Sequence, residues 1–145
     1  MYKHLLIAVD ESELAFGALK QGVALAEKLG AKVTIVTVTE PWTAVVSGDA
    51  AIGFPIDEYQ RSVSAWAEDT LARARAVATK AGIDCETVHV SDIYPADGIL
   101  ATASEKHCDL IVMGSHGRRG LTRLILGSQA NNVVTQSTIP VLICR

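Results

Sequence analysis

Five short apolar runs, each separated from the next by a stretch of helical periodicity, constrain this chain more than any other feature. Val33–Val38 is the clearest of them. It is β-branched at every position, which suits a pleated strand and handicaps a helix. His4–Val9 and Leu110–Met113 are nearly unbroken apolar runs, as strands covered on both faces require. Cys85–Val90 alternates in polarity and so belongs at a sheet edge or beneath uncovered surface. Pro140–Cys144 completes the set, since proline is tolerated at the first position of a strand.

Between these runs the spacing changes to three and four. Ser12 is expected to cap a helix with Glu13 in its first turn. Ala15, Ala18, Leu19, Gly22, Val23 and Ala26 then form one face up to Gly30, a C-terminal stop. Asp57 opens a long helix along Tyr59, Val63, Trp66, Thr70, Ala74, Val77 and Ala81, ended by Gly82. Trp66 reads there as a core residue. Pro95 starts a short helix to about Lys106, and Ser128 is expected to cap the last one. Strands alternating with helices predict a doubly wound α/β fold, a Rossmann-like five-stranded parallel sheet with helices on both faces. The 145 residues contain no linker tract or repeat, so one domain over 1–145 is expected.

Several classes are disfavoured at this stage. The apolar start is too short for a signal peptide, and no run approaches the roughly 20 residues that span a bilayer. A cytoplasmic protein without a membrane partner is therefore expected. Cys85, Cys108 and Cys144 are scattered and form no paired motif, so they read as small core residues rather than metal ligands. The net charge of −3 and the lack of any groove-reading motif argue against nucleic acid.

The charge is unevenly placed. Asp109 is the last acidic residue, and the 36 residues after it carry Arg118, Arg119, Arg123 and Arg145. That part sums to +4 and residues 1–109 to −7, a pattern of either a local anionic ligand or a solvated basic loop. In the same region Gly114-Ser115-His116-Gly117 follows a strand, and Gly127-Ser128 precedes a helix. Glycines let backbone N–H groups approach an anion, and a helix N-terminus offers unpaired donors and a favourable dipole. In open parallel sheets the ligand sits beyond the carboxyl ends of the strands, where the strand order reverses. If the first and fourth strands are neighbours there, Asp10 faces this loop. Its carboxylate suits a ribose hydroxyl; the alternative is that it only caps the following helix.

Gly114-x-x-Gly117, nine residues, then Gly127-Ser128 resembles the ATP-binding motif of the universal stress protein family. Val9-Asp10, the run Asp109–Arg118 and the closing Ile139–Ile143 are similar to further family signatures, so the resemblance covers the whole chain. It implies strand order 3-2-1-4-5 and a homodimer paired through the fifth strand, at Val141, Leu142 and Ile143. It also implies that Ala8, Val9 and Asp10 contact adenine and ribose, and that the backbone of Val38 holds the adenine. Met113, Gly114, His116, Gly117, Gly127, Ser128 and Gln129 would surround ribose and phosphates, with Arg118 as the adjoining cation. The ligand implied is ATP, with AMP or ADP as alternatives, and divalent metal would enter only through the phosphates. Two places depart from the pattern. Gln129 stands where a small or aliphatic residue is usual, and Ser91–Pro95 lacks a glycine often found there.

The function implied is that of an adenine-nucleotide-binding regulator of stress response, hydrolysing ATP slowly at most. The chain has no Gly-Lys-Ser/Thr phosphate loop and no paired carboxylates beside the glycines, which disfavours efficient phosphoryl transfer. His116 either orders the loop or touches phosphate. A phospho-accepting receiver domain would need a lysine after the last strand, and Val141–Arg145 has none. The alternative is a nucleotide-independent scaffold acting through its dimer surface. The apolar residues Trp42, Val45, Val46, Ile52 and Phe54 of the long Thr39–Pro55 loop either cover the nucleotide, join the dimer contact, dock a partner or fold back onto the core.

Overall fold

Strand β1 (His4–Ala8) lies at the centre of the sheet in the computed structural model, which describes residues 1–117 and 125–145. It pairs on one side with β2 (Lys32–Thr39) and on the other with β4 (Leu110–Gly114); Ile7 sits opposite Ile35 and Val112. Strands β3 (Cys85–Ser91) and β5 (Val141–Cys144) are the edges, giving the order 3-2-1-4-5 with every pairing parallel. The implied order is therefore the observed one, and the alternating run Cys85–Val90 lies at an edge, one of the two places its polarity allowed.

The unbroken apolar runs are explained by two cores, one on each face. Leu5, Ile7, Val33, Ile35 and Val112 pack with α1 (Glu13–Leu29) and α3 (Ile56–Lys80). Leu6, Ala8, Val36, Ile111 and Met113 pack with α4 (Pro95–Glu105) and α5 (Ser128–Gln136). Successive residues of a strand point to opposite faces, so a strand buried on both is apolar at nearly every step, and the buried threonines Thr34 and Thr37 of β2 are hydrogen-bonded to His4 Nε2 and Val9 O. All three cysteines are buried and free. Burial, helped by the Asp109 carboxylate, pushes the Cys108 thiol up to about 11.

Helix α1 begins as its sequence predicts, with Ser12 Oγ accepting from the Ala15 amide at 3.1 Å, and ends at Gly30 in the left-handed conformation (φ 62°). The Thr39–Pro55 segment is not one irregular loop. It holds the short helix α2 (Trp42–Val45) and a 3-10 turn at Gly48–Ala51. Among the described residues no helix is long and apolar enough to cross a membrane.

Candidate functional site

The chain steps outward from β1 through β2 to β3 and then returns to β4 on the other side of β1, and at that reversal a crevice opens beyond the carboxyl ends of β1 and β4. A cavity of about 440 Å³ fills it, within the range of small-molecule sites. Ala8, Val9 and Asp10 reach it from the end of β1, Val38 from β2, and Met113 and Gly114 from β4. His116 and Gly117 enter from the following loop, and Gly127, Ser128 and Gln129 from the start of α5. Every residue the family pattern pointed to, other than Arg118, thus lines one cavity. Arg118 lies outside the described residues, as do Arg119 and Arg123.

Asp10 is held in place by its own turn. Its Oδ1 accepts from the Ser12 amide at 2.8 Å, while a Cβ placed on Gly117 would stand 2.9 Å from its Oδ2. Asp10 is therefore not the cap of α1, a place that Ser12 takes: one of its oxygens closes the turn before the helix and the other confronts the loop. The residue before it is fixed by two bonds, from Val9 N to Val36 O at 2.9 Å and from Thr37 Oγ1 to Val9 O at 2.8 Å.

The loop closes on itself just as tightly. Ser115 N donates to Cys144 O and Gly127 N donates to Ser115 O, both at 2.8 Å. Buried His116 takes its partner from the preceding residue, with Nδ1 3.1 Å from Ser115 Oγ. Glycine at 127 lets the chain pass close, because a Cβ there would lie 3.0 Å from Ser115 O and 3.3 Å from His116 Cα and would push both back by a few tenths of an ångström. Its amide is consumed in that contact.

Ser128 does not cap α5. Gly127 is the N-cap, without any side-chain cap bond, and the first intrahelical amide bond is Asn131 N to Gly127 O at 2.8 Å. A glycine cap leaves the amides of Ser128, Gln129 and Ala130 without intrahelical partners, and these three residues border the cavity. A serine side chain in the capping position would have taken one of those donors.

Away from α5 the cavity lining is largely apolar, with Thr39, Glu40 and Ser62 as its polar members. Val36 and Val38 form its floor, and Tyr59, Val63 and Trp66 of α3 and Ile99 of α4 its walls. Trp66 is thus a half-buried wall residue rather than core. Periodicity identified the inward stripe of α3 but not that its first half overhangs the crevice. A signal was present in side-chain size: the stripe is large at Tyr59, Val63 and Trp66, then small at Thr70 and Ala74, which are buried. From the Thr39–Pro55 segment, Thr39, Glu40 and Val45 join the wall. Trp42 stacks on Phe54 at 5.5 Å, Phe54 lies against Tyr59 at 6.0 Å, and Tyr59 Oη donates to Glu40 O at 3.0 Å. Ile52 is left 82% exposed.

The two departures from the family pattern meet. Gln129 Oε1 accepts from the Ala96 amide at 3.0 Å, so its side chain is engaged with α4. The turn before α4 is made without glycine by Asp92, at φ 61°, a conformation aspartate tolerates better than most residues. Thr39 Oγ1, beside the cavity, is 2.8 Å from His89 Nε2. Burial lowers the His89 pKa, with Glu68 opposing the shift.

The chain matches the sequence profile of the Universal stress protein family over residues 1–145. It is 34% identical to the universal stress protein YxiE of Bacillus subtilis (strain 168), with both chains covered in full. The solved structure of universal stress protein UspA from Lactobacillus plantarum is similar at TM-score 0.84 and 26% identity, over 99% of this chain and 98% of that one. A universal stress protein solved in complex with cAMP is similar at TM-score 0.74 and 28% identity, over 99% and 97%.

Proposed function

The chain belongs to the universal stress protein family, and from that premise we propose that its cavity binds an adenine nucleotide, ATP foremost. The observation that carries this reading is the uncapped start of α5 at one end of a cavity whose other end is largely apolar. Three amides without helical partners and the positive end of a helix dipole suit a polyphosphate. Valine, tyrosine and tryptophan surfaces suit a flat heteroaromatic base. Asp10, between the two ends, suits the hydroxyls of a ribose. The similar protein that holds cAMP supports a nucleotide with an adenine base.

On this reading the protein is a cytoplasmic homodimer whose nucleotide state selects its partners, and any hydrolysis is slow. The residues named as nucleotide contacts are Ala8, Val9, Asp10 and Val38 on the nucleoside side. Met113, Gly114, His116, Gly117, Arg118, Gly127, Ser128 and Gln129 are those on the phosphate side.

Calorimetric titration of the purified chain with ATP tests the reading. The wild type should bind, and Gly127→Val should lose at least about tenfold in affinity, because its side chain displaces the loop from the α5 amides and costs hydrogen bonds to a charged group. Wild-type affinity in a folded Gly127→Val chain would contradict it. A wild type that binds no ATP and gains no thermal stability from it would favour the nucleotide-independent scaffold.

A further inference from the structure

The first half of α4 touches both ends of the cavity. Pro95 and Ile99 line it directly. Gly98 lies so near β2 that a Cβ built on it would stand 2.8 Å from Val38 Cγ2 and 2.9 Å from Cγ1. The helix is therefore seated on the strand end that we assign to the base. One residue beyond Pro95, the Ala96 amide donates to Gln129 Oε1 at 3.0 Å. Gln129 is the second residue of α5, and its own amide is among those we assign to phosphate.

Helix α4 has no side-chain cap of its own at Tyr94. An amide in a first helical turn needs a partner from outside the helix. Gln129 supplies one from a neighbouring helix, across 33 positions of sequence. One hydrogen bond thus joins the wall of the base end to the donors of the phosphate end.

We propose that Gln129 is a positioning residue, whose side-chain carbonyl clamps the first turn of α4 to the start of α5 and so sets the cavity width before any ligand arrives. The proposal rests on the nucleotide reading above. Released from the clamp, the α4 wall would have to be ordered by the ligand, and that entropy would be lost from affinity. The effect would fall on every ligand that touches the wall, whether or not it carries phosphate.

Calorimetry with ATP and with adenosine on wild type, Gln129→Met and Gln129→Glu tests this. Methionine nearly matches the shape of glutamine but removes the strong acceptor, and should weaken ATP and adenosine alike, by about five- to tenfold. Glutamate keeps an acceptor but adds negative charge beside the phosphate donors. It should hold adenosine near wild-type affinity while losing ATP. In the ligand-free Gln129→Met chain, hydrogen exchange at the Ala96 amide should accelerate by a similar factor. Gln129→Met binding both ligands as wild type would overturn the clamp. So would a loss confined to ATP, the mark of direct phosphate contact. A wild-type chain binding neither ligand would strike at the nucleotide reading itself and take the clamp's role with it.

Discussion

Asp109, at the mouth of β4, accepts the amides of Lys3 at 2.8 Å and His4 at 3.0 Å and so pins the start of β1 to the sheet. Burial would raise its carboxyl pKa, but the amides of His4, Lys3 and Asp109 itself, with the charge of His4, outweigh it and hold the group below the usual carboxylate range. The folded-state pKa is thus the lower one. The stabilisation is complete above the unfolded value near about 4 and is lost as pH falls through the folded value. Asp109→Asn should cost about 1 kcal/mol at pH 7, toward the low side because solvent reaches the group. Urea denaturation should find that difference shrinking as the buffer is acidified below the carboxylate range; a pH-independent gap would contradict it. At this scale the sequence was most legible where chemistry is local. Asp10, the glycines and the Ser12 cap each declare themselves through their neighbours. Ser128 misled because serine is the stronger capping residue on propensity, while the tight approach to Ser115 and His116 favours glycine one position earlier.

Helix α3 shows what periodicity leaves out. Its inward stripe is readable from Tyr59 to Val77, yet only part of that face rests on the sheet. Leu71 is buried in the core, whereas Trp66, little more than one turn earlier, borders the cavity. The two should therefore behave differently when cut back to alanine. Leu71→Ala should lose about 2–4 kcal/mol of stability and leave nucleotide affinity near wild type. Trp66→Ala should cost less stability and weaken ATP binding about tenfold, through lost contact with the base. Paired denaturation and titration measurements check this; equal stability losses with unchanged affinity would remove α3 from the site. The Thr39–Pro55 segment was opaque for another reason. Its helix and its 3-10 turn are four residues each, too short for a periodic signal. Pairings such as Trp42 with Phe54 span a distance that sequence spacing does not encode.

For the whole molecule, the alternation of strands and helices gives the parallel sheet and handedness leaves few topologies, while the order 3-2-1-4-5 came from the family resemblance. Assembly is less legible, since it depends on what an edge meets. Among the described residues, strand β5 pairs only with β4, and Leu142 on it is 38% exposed. An apolar unpaired edge invites a second copy. Leu142→Lys should convert the proposed dimer to monomer in light scattering without altering ATP affinity; a wild type that is already monomeric would contradict this. The central claim concerns the three α5 amides, and backbone NMR reads them directly. Adding ATP should shift the Ser128, Gln129 and Ala130 amide resonances strongly, and adenosine should shift them far less. ATP binding that leaves those three resonances where they were would contradict the account.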